Sequence, residues 1–310
     1  MSDSRVSVGV AFASTGGFKI IRAVRSFHLQ EPSLPVHVVI DASSNTWKSE
    51  RFRTPLVDYS YVQSREVDNY SHINGTLNHA VRWMGELGYT HAALFHDDLI
   101  FSPLARNRNY LTSWINRLAA SQDLRSASAL SFGELEAFVK NPGTVRGQPG
   151  HWDAPPSMWD AMDLESPSFW ESLIALDGTP LRTADFPVFF VDYCPAGEGL
   201  FDRRLRMGPT GQIVNIAAWE AVGGFDEAYG LHYDTDFPFA CITHSLPPVL
   251  YIPGAPHLHL HNQSMGYADP ALGLWGHFED AFERKYHKVF HDFCVEVETE
   301  RNANPVHIEG

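Results

Sequence analysis

The sequence predicts an α/β fold with a mixed, mainly parallel central sheet flanked by helices. Residues 1–100 alternate short β-branched apolar runs with helix-like patterns, which is the order that builds a parallel sheet. The length of 310 residues allows one large domain, or one domain with a sizeable insertion. A hydrophobic content of 44% with 19% charged residues is typical of a globular protein, so we expect disorder at the chain ends alone.

The N-terminal elements are predicted from apolar runs and from the polar residues that end them. A helix is predicted over 18–27. The strands predicted around it have the ranges 6–13, 36–40, 57–62 and 92–95. A second helix, after Gly75, is indicated by a stripe at helical spacing that contains Thr76, Leu77, Ala80, Val81 and Met84.

The middle of the chain has a weaker pattern. Between residues 103 and 187 the periodicity fades and Pro and Gly become frequent, so we interpret 103–187 as an insertion or a substrate-facing segment. Its tryptophans Trp152, Trp159 and Trp170 can either stack on sugar rings or serve local packing.

Regular patterns return in the C-terminal part. A strand is predicted over 186–192, and a helix-like unit over 213–221 that ends at the Gly223–Gly224 pair. An amphipathic C-terminal helix is indicated by residues at helical spacing, namely Trp275, Phe278, Phe282, Tyr286 and Val289.

Charge and cysteine usage limit the possible functions. A formal net charge of -14 excludes an extended nucleic-acid surface, because such surfaces need clustered Lys and Arg. A single diphosphate ligand remains compatible if a divalent cation or a few local donors supply positive charge. Cys194, Cys241 and Cys294 are far apart and form no CxxC pair, so we expect a reducing compartment. The first apolar segment is too short and polar for a signal or spanning helix, which predicts a cytoplasmic protein without a transmembrane segment.

Polar residues follow three of the predicted strands. Ser14 and Thr15 come after the first strand, Asp41 after the second, and His96-Asp97-Asp98 after the fourth. Ligands of open α/β sheets collect at the carboxyl ends of strands, so these residues are candidates for a binding site. Asp41 can accept hydrogen bonds from a base or ribose, or it can cap the next helix.

The adjacent carboxylates of Asp97 and Asp98 repel each other unless a cation or a proton intervenes. Hard oxygen ligands favour Mg2+ or Mn2+, and such an ion keeps open positions for substrate phosphates. The alternative is an exposed acidic turn before Pro103.

A second cluster, the segment His257-Leu258-His259-Leu260-His261, places three imidazoles on one face if it is extended. Histidine is a common metal ligand, and the alternative is a set of hydrogen-bonded surface histidines.

Between the two clusters lies Tyr233-Asp234-Thr235-Asp236-Phe237. A carboxylate near a metal-bound electrophile can act as general base, and Asp234 is the candidate, with Asp236 as a structural partner. The alternative role for Asp234 is to cap a helix.

The order of these motifs resembles the GT-A glycosyltransferases, in particular the family-2-like inverting group. The resemblance rests on Asp41 with the small-residue turn after it and on the segments 75–80, 94–99 (DXD-type), 217–227 (ending in GGFDE) and 233–237. Two positions differ from the family pattern: His96 stands where the DXD-type motif starts with Asp, and Tyr233 stands where Glu is common.

The resemblance implies a nucleotide-sugar donor, with a UDP-sugar favoured, a glycan or other hydroxyl acceptor, and Mn2+ or Mg2+. It implies Asp234 as the catalytic base. The implied donor-binding residues are Ala13, Ser14, Thr15, Asp41, Asn78 and Asp97, and the implied metal ligands are His96, Asp98, His259 and His261. One continuous GT-A domain would then comprise a nucleotide-sugar-binding half (1–102), an acceptor-region insertion (103–187) and a catalytic, acceptor-binding half with a C-terminal helix (188–310).

Two other classes of protein remain open at this point. The His-rich segment is similar to motifs of zinc hydrolases, although those usually hold an Asp within the cluster and none lies between His257 and His261. The many aromatic residues also allow a non-catalytic carbohydrate-binding protein. Release of free sugar or phosphate without an acceptor would favour the first, and metal-independent glycan binding the second.

Overall fold

A computed structural model describes residues 6–14, 18–41, 57–62, 72–132, 135–139, 163, 165–174, 181–183, 186–190, 201–202, 211–227, 233–252, 257–259 and 279–303. Its strands are β1 (Val8–Ser14), β2 (Val36–Asp41), β3 (Val57–Val62), β4 (His91–His96), β5 (Leu99–Phe101), β6 (Ala129–Phe132), β7 (Leu135–Val139), β8 (Leu181–Thr183), β9 (Phe186–Phe190), β10 (Phe201–Asp202), β11 (Gly211–Asn215), β12 (Val249–Ile252) and β13 (His257–His259). Its helices are α1 (Phe18–Gln30), α2 (His72–Glu86), α3 (Tyr110–Ala120), α4 (Gln122–Ser126), α5 (Pro167–Ile174), α6 (Ile216–Ala221), α7 (Tyr233–Thr243), α8 (279–286) and α9 (Phe290–Ala303).

The larger sheet has eight strands within the described ranges, in the order β10-β12-β6-β11-β4-β1-β2-β3. Strand β1 pairs in parallel with β2 and β4, β2 pairs in parallel with β3, and β6 with β12. Strand β11 is antiparallel to both β4 and β6, and β10 is antiparallel to β12. The predicted class, a mixed and mainly parallel sheet flanked by helices, is confirmed.

A smaller sheet has five strands in the same part of the chain, in the order β5-β13-β7-β9-β8. Strand β5 begins directly after Asp97 and Asp98, so this acidic pair forms the turn between the two sheets. Strand β13 is antiparallel to β5, with His259 opposite Leu99. This pairing brings His259, in the middle of the His-rich segment, next to the acidic turn.

Two hydrophobic layers cover the two faces of the larger sheet, because successive residues of a strand point to opposite faces. Val10 and Phe12 of β1 belong to the layer that includes α1, while Ala11 and Ala13 belong to the layer that includes α2, α6 and α7. In the first layer the ring centroids of Phe12 and Phe27 lie 5.5 Å apart. Burial of a side chain of this size stabilises the fold by about 1.5–3 kcal/mol.

Helix α2 can approach β1 closely because residue 9 is a glycine. A Cβ atom at Gly9 would lie 2.5 Å from Met84 Sδ and 2.6 Å from Tyr89 Cδ2. All five residues of the stripe predicted for this helix, Thr76, Leu77, Ala80, Val81 and Met84, are buried. The predicted strands at 36–40, 57–62 and 92–95 are present, with bounds that differ by at most one residue at each end.

The predicted helix-like unit at 213–221 begins too early and is corrected by the structure. Residues Gly211–Asn215 form β11, and the helix starts at Ile216. Asn215 ends the strand and caps the helix, because its Oδ1 accepts hydrogen bonds from the backbone N–H groups of Ala217 and Ala218. Gly223 and Gly224 end this unit as predicted, with φ angles of +85° and +90°.

The amphipathic C-terminal helix ends before the last residue of its predicted stripe. Helix α8 contains Phe282, which is 0% exposed, and Tyr286. The chain leaves the helix at His287, whose φ is 54°, so Val289 lies beyond it and is 51% exposed. Trp275 and Phe278 lie outside the described residues.

Part of the 103–187 segment belongs to the body of the fold. Helices α3 and α4 pack on the first hydrophobic layer through Leu111, Trp114 and Leu124, and β6 lies inside the larger sheet. Trp170 is 1% exposed, which supports local packing for this residue. Trp152 and Trp159 lie outside the described ranges. No helix among the described residues has the length and apolar character needed to cross a membrane.

Candidate active site

The polar ends of three neighbouring parallel strands meet at one edge of the larger sheet. In the pairing register Ala13 lies opposite His96, and Ser14 lies opposite Ile40, the residue before Asp41. Asp41 is 2% exposed and Ala13 is 2% exposed, so both are enclosed by the protein. Thr15 lies outside the described residues. The last residues of β1, β2 and β4 are therefore neighbours at this edge.

Ser14 and Asp97 are joined directly at this edge. The Ser14 hydroxyl donates a hydrogen bond of 2.6 Å to Asp97 Oδ2, and both residues are buried. A hydrogen bond to an ionised carboxylate is stronger than one between neutral groups. It therefore fixes the turn that follows β4.

Asp98 and His259 form the second contact of the site. Asp98 Oδ2 lies 3.2 Å from His259 Nε2, and the two side chains are 14% and 8% exposed. The pairing of β13 with β5 is what brings them together. Since Asp97 and Asp98 are both largely buried, the alternative of an exposed acidic turn is wrong.

His257 has a different environment from His259. Its ring centroid lies 5.5 Å from that of Phe101 and 6.4 Å from that of Phe95, and it is 2% exposed. A Cβ atom at Gly211 would lie 3.3 Å from the His257 ring, so a glycine leaves the space that this ring occupies. His257 thus packs in the core, and His261 lies outside the described residues.

Within the described ranges, no group of three or more His, Cys, Asp or Glu side chains is arranged to hold a metal ion. Two of the predicted ligands, Asp98 and His259, are in contact. A carboxylate oxygen and an imidazole nitrogen are both donors that Mn2+ and Mg2+ sites use, and such ions leave positions for phosphate oxygens and water. The chemistry of this pair therefore fits a divalent cation. His96 is half-buried at the end of β4.

A cation on α1, Lys19, lies near the acidic turn, and the sequence patterns do not indicate it. Lys19 is half-buried in the first turn of α1, and Arg22, one turn later, is 9% exposed. Burial lowers the pKa of Lys19, while the charges of Asp97 and Asp98 oppose this shift and Arg22 adds to it. The sequence feature that could identify Lys19 is its position in the first turn of the helix that follows the end of β1.

Asp234 lies in the first turn of α7 and is 4% exposed. The helix begins at Tyr233, so Asp234 is its second residue. One turn later Phe237 joins the hydrophobic layer that contains Ala13 and Leu94. By strand alternation His96 points to this same face of the sheet, so α7 lies on the His96 side.

The 225–227 turn is tied to α2. Asn78 Nδ2 donates to the carbonyl oxygen of Phe225 (2.8 Å) and to Glu227 Oε1 (3.0 Å), and its Oδ1 accepts from the Phe225 N–H (2.8 Å). Asn74 Nδ2 donates to the Asp226 carbonyl oxygen at 2.7 Å. Both ends of the Asn78 amide are thus used within the protein, which indicates a structural role for a residue predicted to bind the donor.

Asp236 is bound by α8. Lys285 Nζ donates to both of its carboxylate oxygens at 2.9 Å, and the Tyr286 hydroxyl donates to Oδ1 at 2.7 Å. Burial raises the pKa of Asp236, and Lys285 and Tyr286 oppose this shift by stabilising the carboxylate. These contacts agree with the structural role expected for Asp236.

No protein-family model matches the sequence, and no curated protein sequence matches it. Similar solved structures include the mannosyltransferase PcManGT of Pyrobaculum calidifontis in complex with GDP-Man and Mn2+, with 13% identity, a TM-score of 0.44 and coverage of 84% of this chain and 58% of that one. Another is GalNAc-T7 with UDP, GalNAc and Mn2+, with 10% identity, a TM-score of 0.45 and coverage of 82% and 44%. A third, from Bacillus anthracis and assigned as a glucose-1-phosphate thymidylyltransferase, has 11% identity, a TM-score of 0.36 and coverage of 80% and 88%. The chain thus spans less than two thirds of the length of the first two proteins.

Proposed function

We propose that this chain is a GT-A glycosyltransferase that moves a sugar from a nucleotide-diphosphate sugar to an acceptor hydroxyl with inversion. The observation that carries the proposal is the 3.2 Å contact of Asp98 with His259, next to the buried bond from Ser14 to Asp97. Two motifs that are distant in the sequence meet at the sheet edge where α/β proteins bind ligands. This juxtaposition supports the motif-based expectation.

The donor would lie at the ends of β1 and β2. Asp41 would accept hydrogen bonds from the nucleoside, and Ala13, Thr15 and Asp97 are further proposed donor-binding residues. Lys19 adds a cation in a protein whose net charge is -14. Its ammonium would counter part of the charge of the diphosphate.

A divalent ion, Mn2+ or Mg2+, would be held by Asp98 and His259, with His96 and His261 as further proposed ligands. When bound, it would supply positive charge to the leaving nucleoside diphosphate. Lys19 would add a second positive charge at the same sheet edge, and the Ser14 hydroxyl would keep Asp97 in place. UDP is the favoured nucleotide of the donor, and the thermal-shift experiment described below identifies its base.

Asp234 would accept the proton of the acceptor hydroxyl. A carboxylate in this role typically raises the rate by roughly 100- to 10,000-fold. Attack from the side opposite the leaving group would invert the anomeric carbon. The acceptor, a glycan or another hydroxyl compound, would contact residues 103–187 and 188–310, and residues 1–102 would bind the donor. The three segments would form a single domain, and the reaction would take place in the cytoplasm.

The competing classes have less support. A zinc hydrolase would use the His-rich segment as a cluster, but His257 packs against Phe95 and Phe101. A carbohydrate-binding protein would display aromatic rings, but Trp170 is 1% exposed.

Binding and turnover test the proposal separately. Thermal shifts with UDP-, GDP-, CMP- and dTDP-sugars, with and without Mn2+, identify the donor, because a ligand that binds the native state raises its stability. With that donor, Asp234→Asn should keep the thermal shift and lose transfer. Asp292→Asn is the matched control, since Asp292 is an exposed acid in the first turn of α9. Turnover of Asp234→Asn at the wild-type rate would remove Asp234 as the base.

A further inference from the structure

Asp236 lies at the centre of a polar network between α7 and α8. Its side chain is 1% exposed and accepts two hydrogen bonds of 2.9 Å from Lys285 and one of 2.7 Å from Tyr286. The Tyr286 hydroxyl also lies 3.4 Å from the backbone carbonyl oxygen of Asp236. A buried carboxylate depends on such partners, because removing one leaves the charge uncompensated.

Lys285 joins three parts of the fold. Besides Asp236 on α7, its Nζ contacts Asp226 Oδ2 at 3.1 Å. Asp226 is in turn held to α2, because its carbonyl oxygen accepts from Asn74 at 2.7 Å. The lysine therefore ties the first turn of α7 to the 225–227 turn and, through it, to α2.

The first turn of α7 needs such side-chain contacts. Pro238 has no N–H group, so it cannot make the helical hydrogen bond to the carbonyl oxygen of Asp234. The backbone of this turn is thus less constrained than in an uninterrupted helix. Asp234 and Asp236 lie in the same turn, so any displacement of Asp236 would move Asp234 as well.

We infer that Lys285 is a positioning residue for Asp234: by binding Asp236 and Asp226 together, it fixes the turn that carries the proposed base. This inference rests on the proposed function. It assigns to α8, near the C-terminus, a role in aligning the base with the acceptor. Lys285 itself does not take part in proton transfer.

The test compares Lys285→Met, Lys285→Arg and Lys288→Met. Lys288 is the matched control, because it is a neighbouring exposed lysine whose ion-pair partner is Glu296 on α9. Hydrogen–deuterium exchange of the 233–243 peptide reports on the helix without any substrate. In Lys285→Met the hydrogen-bonded amides of this helix should exchange at least about ten-fold faster than in wild type, while Lys285→Arg and Lys288→Met remain near wild type.

Steady-state kinetics test the functional consequence. Lys285→Met should lower kcat for transfer by about ten-fold or more, with the Kd for the nucleotide-sugar within about two-fold of wild type, and Lys285→Arg should restore most of kcat. If Lys285→Met does not fold, Tyr286→Phe, which removes a single donor, should show the same changes to a smaller extent. Exchange and kcat equal to those of Lys288→Met would overturn the inference. Absence of transfer by the wild type would instead overturn the proposed function, while the exchange result would still decide whether Lys285 holds the turn.

Discussion

His259 Nε2 lies 3.2 Å from Asp98 Oδ2, although 161 positions separate the two residues in the chain. The contact depends on three strand segments: β4 ends at the acidic turn, β5 leaves it, and β13 pairs with β5. It joins the acidic and the His-rich motif into one site. Its properties can be tested one residue at a time.

A first prediction concerns metal dependence. Asp98→Ala and His259→Ala should each remove most of the stabilisation that Mn2+ gives to wild type, because each removes a donor from the proposed ligand set. The double variant should lose little more than either single variant, since both act on one ion. His291→Ala, an exposed histidine on α9, is the control. Thermal unfolding across an Mn2+ titration measures this, and full Mn2+ stabilisation of both single variants would exclude the site.

A second prediction concerns the cation on α1. Lys19→Met should weaken binding of UDP, or of the nucleotide identified by thermal shift, by about ten-fold, because a partly buried ammonium near the diphosphate is lost. The matched control is Arg25→Met on the same helix, whose side chain is 54% exposed and contacts Glu165. Isothermal titration calorimetry measures both. Equal affinities of the two variants would remove Lys19 from the site.

A third prediction concerns the bond at the end of β1. Ser14→Ala should lower the free energy of unfolding by about 1–3 kcal/mol, because a buried carboxylate loses a hydrogen-bond donor. Ser113→Ala is the control, since the Ser113 hydroxyl donates to the Asn109 carbonyl oxygen at an exposed position. Urea unfolding of the two variants at equal pH decides the matter. A loss no larger than that of Ser113→Ala would show that the bond does not stabilise the turn.

A fourth prediction concerns acid sensitivity. Burial lowers the pKa of His91 to about 4 in the folded state, from 6.5 in the unfolded chain. Between these pH values the unfolded state binds the proton and the folded state does not, so stability falls as pH decreases from 6.5 to 4. Over this pH range the protonation of His91 lowers the free energy of unfolding by about 3 kcal/mol.

His91→Gln should make the decrease between pH 6.5 and 4 smaller, whatever its effect at neutral pH. His291→Gln, at an exposed position, should keep the wild-type decrease. Urea unfolding at several pH values measures the slope. Equal slopes for His91→Gln and wild type would show that His91 is not the group responsible.

Much of the larger sheet could be predicted because short stretches of sequence indicate its strands and the helices beside it. The run at 36–40 is rich in β-branched residues, and the stripe of α2 has helical spacing. The carboxyl ends of neighbouring parallel strands lie at one edge of the sheet. The helix predicted over 213–221 starts too early because Ile213 and Val214 fit a short strand as well as the start of a helix. The choice between them depends on pairing with β4 and β6, which the local sequence does not encode.

The smaller sheet and the roles of Lys19 and Lys285 could not be predicted for the same reason. Strands β5 and β13 have 3 residues each, too few to show a period, and their pairing is entirely non-local. Lys19 and Lys285 each look like an ordinary solvent-exposed lysine in the sequence. Their importance comes from the buried carboxylates that the fold places beside them.

Nuclear magnetic resonance of the reaction product tests the central claim most directly. Wild-type protein is incubated with Mn2+, the nucleotide-sugar identified by thermal shift, and a panel of simple glycosides as acceptors. The account predicts a new glycoside whose anomeric configuration is opposite to that of the donor, and no such product with Asp98→Ala or Asp234→Asn. A product of retained configuration, or release of free sugar without a glycoside, would contradict it.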